Sequence, residues 1–141
     1  MAINFYTEKI NFIIKNKTKL KNWIKLVSNH EKRTIGEVNF IFTSDEELIK
    51  KNIQFLRHNT FTDVITFDYS DKKKITGDIF ISIERVTENA TKFKVEYLEE
   101  LNRVIIHGIL HLCGYKDKTK TTANLMRKKE NWALKYRKLI S

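Results

Sequence analysis

Residues 104–118 read VIIHGILHLCGYKDK. His107 and His111 stand four apart, among Val104, Ile105, Ile106, Ile109, Leu110 and Leu112. On a helix, positions four apart project from one face about one turn, ~5–6 Å, from each other. The stretch therefore reads as a buried helix that carries two imidazoles inward. Gly114 follows where a left-handed residue would end the helix, so the chain folds back and offers Asp117 as a third donor. A single buried histidine is most often a core residue with a satisfied hydrogen bond. Two on one face are harder to satisfy, because each ring has two nitrogens and an unsatisfied buried group costs about 1–3 kcal/mol. A shared cation takes one nitrogen from each ring. His107, His111 and Asp117 thus form a candidate three-point metal clamp. Cys113, about 200° round the helix from His111, reads as a core thiol and not as a ligand.

Outward from this helix, the pattern sets the fold class. Two short β-branched and aromatic runs within residues 3–15 suggest two strands, or one strand leading into a helix. Leu20, Trp23, Ile24 and Val27 recur at helical spacing within residues 18–29. Gly36 marks a break, after which EVNFIFTS (37–44) alternates Val38, Phe40 and Phe42 toward one side, as a strand does. Ser44 with Glu47 three residues on is a capping-box pattern that opens a helix to about Leu56. TDVITFDY (62–69) and ITGDIFISI (75–83) read as strands on either side of a DKKK turn. Residues 84–94, 96–113 and 121–140 read as helices, the last of them basic. Strands and helices alternate without a long regular βαβα cycle, and helices gather toward the C-terminus. That predicts an α+β fold, a small mixed β-sheet covered by helices, with the metal site on a C-terminal histidine helix. No repeat or linker interrupts the pattern, so residues 1–141 are expected to form a single domain.

Composition bounds the partners. The chain has 141 residues, 41% of them hydrophobic, with nine Phe, five Tyr and two Trp to fill one core. This excludes disordered, collagen-like and disulfide-scaffold classes. Cys113 is the single cysteine and has no partner for an internal bridge. No apolar run approaches the ~18 residues that span a bilayer. MAINFYTEKI lacks the pattern of a signal peptide, so a cytoplasmic location with no membrane partner is expected. The net charge is +10: residues 1–35 carry +6, residues 36–115 carry −3 and residues 116–141 carry +7. Basic ends around a slightly acidic middle suit a polyanionic partner. A solvated basic face explains the same charge equally well.

The donor types narrow the chemistry. Two imidazoles and a carboxylate suit Zn²⁺, one per chain, and leave a fourth position for water. Zinc-bound water becomes hydroxide near neutral pH, and the ion polarises a carbonyl or phosphoryl oxygen, so hydrolysis is the expected reaction. In zinc proteases of the H-E-x-x-H type, the residue after the first histidine is the general base. Here that residue is Gly108, which argues against proteolysis.

HGILHLCGY (107–115) resembles the H-G-x-L-H-L-x-G-Y-D-H signature of the YbeY endoribonucleases. TDVITF (62–67) is similar to that family's P-T-D-V-L-S-F segment, and GDIFIS (77–82) to its G-D-I-x-I-S segment. Met126 and Glu130 also fit the pattern. The resemblance covers most of the chain. It implies a small α+β fold with a zinc site near the floor of a basic cleft. It further implies a single-strand-specific, metal-dependent endoribonuclease that matures ribosomal RNA, notably the small-subunit 3′ end, and serves ribosome quality control and late assembly in the cytoplasm. The implied partners are single-stranded RNA or rRNA and the ribosome or its proteins, with no DNA expected.

The sequence departs from the family pattern in three places. Asp117 stands where a third histidine is usual, and Lys116 where the signature has Asp. A carboxylate there lowers the site's charge by one unit, so its bound water should be less acidic than at a three-histidine site. Phe61 replaces a proline before Thr62. Leu56 occupies the place of a substrate-facing arginine, and its neighbour Arg57 is the candidate catalytic residue through a one-position shift.

Further expectations concern the residues around the clamp. Phe61 and Tyr115 are aromatic candidates for stacking on bases, although each is more often core, and His58 is a candidate phosphate contact or a solvated loop residue. Thr62 and Asp63 are expected to fix the loop beside the cleft, with Asp63 also considered as the partner of a ligand histidine. The alternative function is a non-catalytic ribosome-assembly or RNA-binding factor whose metal is structural. A peptidase is the third reading, disfavoured by Gly108.

Overall fold

A computed structural model describes residues 2–57 and 62–140. His58 and Phe61 lie outside the described residues. The first strand, β1 (Ala2–Thr7), leads through irregular chain to helix α1 (Lys17–His30). Strand β2 (Thr34–Thr43) is followed by helix α2 (Asp45–Lys51), which runs into a π-helical turn over Asn52–Leu56. Strands β3 (Val64–Asp68) and β4 (Lys74–Ser82) form a hairpin, and three helices complete the chain: α3 (Ile83–Phe93), α4 (Tyr97–Leu112) and α5 (Lys120–Ile140).

The strand order is β1-β2-β4-β3. β1 and β2 are parallel, β2 and β4 are parallel, and β3 runs antiparallel to β4. This is the mixed sheet the sequence predicts. The period-two alternation of β2 buries Val38, Phe40 and Phe42, and β4 buries Ile75, Ile79 and Ile81 beside them. Helix α4 lies against the β3–β4 half of the sheet, flanked by α1, α3 and α5. Its apolar sides are all covered: Leu101, Val104, Ile105, Ile106, Ile109, Leu110 and Leu112 are buried. The opposite sheet face carries a polar ladder. There Asn4 Nδ2 donates to Asn39 Oδ1 and Asn39 Nδ2 donates to Asp78 Oδ1, each at 3.0 Å.

Local signals explain most element starts. Ser44 Oγ accepts from Glu47 N–H at the head of α2, and Ser82 Oγ accepts from Arg85 N–H at the head of α3. Trp23 is buried in the core because its indole N–H reaches Ala133 O at 2.9 Å. Gly36 does not end an element as expected. It lies inside β2 at a register irregularity between Ile35 and Val38, where a Cβ would stand 2.4 Å from Thr76 Oγ1. A bulge at close range, and not a break, is what the glycine serves. Within residues 3–15 only one strand forms, and no helix begins before Lys17.

Candidate metal centre

The C-terminal end of α4 builds the clamp. Gly114 takes φ 103°, its N–H donates to His111 O, and Tyr115 N–H donates to Leu110 O, both at 3.0 Å. This is a Schellman ending, and it reverses the chain directly after the second histidine. Arg33 strengthens it by donating to Cys113 O at 3.2 Å and to Asp71 O at 2.7 Å. Tyr115 is pinned from the other side, its hydroxyl donating to Glu31 at 2.6 Å. Asp117 is thereby returned to the histidines.

His107 Nε2 lies 3.2 Å and His111 Nε2 3.4 Å from Asp117 Oδ2. One donor atom from each residue falls within 4.8 Å of the others. Donors ~2.0–2.1 Å from one tetrahedral ion stand ~3.3 Å apart, so the histidine–aspartate spacings suit such an ion. The outer nitrogens settle the tautomers. His107 Nδ1 is 2.6 Å from Glu130 Oε2, and His111 Nδ1 is 2.9 Å from Tyr115 O. A carboxylate and a carbonyl only accept, so both Nδ1 atoms carry a proton, and Nε2 of each ring, turned toward Asp117, is the atom a cation would take. The chemistry of the donor set therefore fits a divalent cation.

The surrounding charges act in opposite directions on the two rings. Burial works to lower the His107 pKa, but the hydrogen bond and charge of Glu130, aided by Asp117 and Asp63, raise it. His111 is lowered, by burial and by its neighbour His107. Burial works to raise the Glu130 carboxyl, yet His107 and Arg103 hold it below its ordinary value. Arg103 Nη1 donates to Glu130 Oε1 at 2.9 Å, so the orienting carboxylate is itself held. Asp63 lies near His107, but the hydrogen bond to the ring belongs to Glu130. The expectation that Asp63 orients a ligand histidine is corrected accordingly. Glu130 sits on the buried stripe Met126, Glu130, Ala133 and Leu134 of α5. A lone acid on an apolar stripe at helical spacing was the available signal.

A cavity of about 670 Å³ opens over the clamp, lined by Leu56, Thr62, Asp63, Thr66, Tyr115, Lys116 and Lys118 among others. Leu56 is on this wall, whereas Arg57 is exposed at the end of the π-helical turn with φ 56° and is not among the lining residues. Thr62 Oγ1 donates to Val64 O, the loop-fixing bond expected of it. Tyr115 is half-buried and serves both core and cavity wall. Burial pushes the Cys113 thiol up to about 12. Gly108 faces the sheet, where a Cβ would stand 2.9 Å from two Ile79 side-chain carbons. A glutamate there has no path to the clamp.

Comparison with known proteins gives a consistent result. A family model described as Endoribonuclease YbeY matches residues 2–138. A protein named Endoribonuclease YbeY from Flavobacterium psychrophilum is 52% identical over 130 residues, covering 92% of this chain and 93% of that protein. Another of the same name from Bacteroides fragilis is 46% identical over 138 residues, covering 98% and 99%. The solution structure of TM1509 from Thermotoga maritima superposes with a TM-score of 0.68 at 28% identity, covering 96% of this chain and 89% of that one.

Proposed function

The chain belongs to the YbeY endoribonuclease family, and from that premise we propose that residues 1–141 act as one domain cleaving single-stranded RNA with Zn²⁺ held by His107, His111 and Asp117. The observation that carries this reading is the convergence of two imidazole Nε2 atoms and a carboxylate oxygen at the floor of a lysine-bearing cavity. Bound zinc supplies Lewis acidity and lowers the pKa of water toward neutrality. The remaining work is done by this chain. Glu130 and Tyr115 O fix the ligand rings through their Nδ1 protons. Lys116 and Lys118, on the cavity wall, attract the phosphate backbone, and Arg57, next in the chain to the wall residue Leu56, adds a phosphate contact outside the cavity. The natural substrate is ribosomal RNA at the small-subunit 3′ end. Action there places the protein on ribosomal particles in the cytoplasm, takes part in ribosome quality control, and gives it no use for DNA. No described helix is long and apolar enough to cross a membrane.

Among the described residues no fourth protein donor joins the three. This favours a site open to substrate over the closed set of a structural metal. Elemental analysis of the wild type and of Asp117→Ala, beside cleavage assays on single-stranded and duplex RNA, tests the proposal. About one zinc per chain, lost in the variant, is expected. Cleavage should be confined to single strands and abolished by a chelator. Stoichiometric zinc with no cleavage would favour the assembly factor with a structural metal, and no metal at all would defeat both. Arg57→Ala should weaken RNA binding at every sequence and lower the salt slope by about 0.7, the share of one phosphate contact on a single strand. An unchanged slope removes Arg57 from the site.

A further inference from the structure

On the far side of His107 lies a second cavity of about 270 Å³. Asp63, Val64, His107 and Asp117 line both cavities, so the clamp stands at their junction. The chemistry of the second differs from that of the first. Asn89 and Phe93, four apart on α3, present a carboxamide and a ring on one side. The Phe93 side is half-exposed at 54%, unlike the core aromatics, and the Asn89 amide has no hydrogen-bond partner among the described residues. Val64 and Val104 give the opposing apolar surface. The charged groups nearby are unsuited to hold an anion: Glu100 and Glu130 are acids, and Arg103 is committed to Glu130 at 2.9 Å. Arg127 also reaches Glu130 Oε1, at the longer distance of 3.7 Å, but its side chain is 59% exposed at the edge, where the guanidinium can turn to an anion outside. The occupant these walls favour is a neutral planar group with a polar edge, joined to an anion outside.

We infer that this second cavity receives one nucleobase of the RNA, stacked on Phe93 with its edge on Asn89, while Arg127 meets the adjoining phosphate. The inference rests on the endoribonuclease reading and adds to it a base-binding subsite next to the scissile phosphodiester. Aromatic stacking is tolerant of base identity, because every base has a π-face. A base that stacks on Phe93 with its edge on Asn89 is neither stacked nor paired in a duplex, so the occupant must leave any duplex before it enters. A single-strand requirement then follows from the contacts the base makes.

The test uses short single-stranded RNAs in which one abasic residue is moved along the chain, with wild-type protein, Phe93→Ala, Phe93→Tyr and Asn89→Ala. Binding is read by fluorescence anisotropy with chelator present, cleavage by KM and kcat, and zinc content by elemental analysis. Phe93→Ala should weaken RNA binding about tenfold and raise KM, with zinc content unchanged, and Phe93→Tyr should restore both. One abasic position beside the cleaved bond should reproduce that loss in the wild type and add little in Phe93→Ala, since both remove the same contact. Asn89→Ala should weaken binding of intact RNA and not of RNA abasic at that position. Wild-type cleavage with a flat abasic scan, or with Phe93→Ala binding as wild type does, overturns the subsite and leaves the endoribonuclease standing. A wild type that neither binds nor cleaves RNA overturns both.

Discussion

At the scale of single residues, the site is governed by which atom of each side chain is already engaged. Glu130 fixes the His107 tautomer by accepting from Nδ1, and Arg103 fixes Glu130. Glu130→Gln keeps an acceptor but removes the charge that makes the imidazole a better ligand. Chelator competition should show zinc affinity about 10–100-fold lower in this variant, and an unchanged affinity would deny Glu130 that role. Cys113 makes the opposite point, a reactive residue type rendered inert. With its pKa at about 12 against the usual ~8.5, its thiolate fraction at pH 8 is about a thousandfold or more below that of a free thiol. Iodoacetamide should label the folded protein slowly and the urea-unfolded protein quickly. Comparable rates in both would contradict the burial. The cluster of His107, His111 and Asp117 was legible in the sequence because spacing on a helix is a geometric statement for the two histidines, and Gly114 announces the reversal that returns Asp117 to them. The partner of His107 was not, because Glu130 lies 23 residues away and only the packing of α5 on α4 brings it in.

At the scale of elements, the ends matter more than the lengths. The strand and helix periods of β2, β4, α1 and α4 are plain in the chain, since each buries one face or all of its sides. Gly36 was misread as punctuation because a glycine in a bulge and a glycine in a turn look alike without the neighbouring strand. The expected helix beyond Ser44 changes to a π-helical turn at Asn52, which no local pattern announces. Gly114 was correctly readable, because the Schellman ending needs a positive φ at that offset. A Cβ at Gly114 meets nothing within 4 Å, so Gly114→Ala should lose stability through backbone strain alone. About 1–2 kcal/mol is expected from denaturant unfolding with m unchanged. A loss of several times that size would mean the side chain collides with something.

At the scale of the whole molecule, one carboxylate ties distant parts of the chain to the loop that carries Asp117. Glu31, at the end of α1, accepts from Tyr115 Oη 84 residues away and from Lys129 Nζ 98 residues away. Burial works to raise its pKa, but the Tyr115 hydroxyl and then Lys129 hold it below the ordinary value. Folding therefore favours the ionised form. The associated stability is present above about pH 4.5, the ordinary value, and is lost as the pH falls through the lowered value of the folded state. Glu31→Gln should flatten this acid limb of the unfolding free energy and leave neutral-pH spectra native. An acid limb identical to wild type would show that the tie has no such role. Such a tie spans three elements, which is why composition and motif spacing could not reveal it.

Gly108 packs its backbone against Ile79 at a distance that leaves no room for a side chain. In proteases built on two histidines of the same spacing, that position supplies the reacting base. A glutamate placed there would meet the Ile79 side chain of the sheet first, and that side chain would have to shift before the new group fitted. A smaller residue at Ile79 would relieve that contact, so a change in the strand and a change in the helix are coupled. The passage between the two enzyme classes thus carries a packing cost, set by volume and independent of any advantage the new chemistry offered.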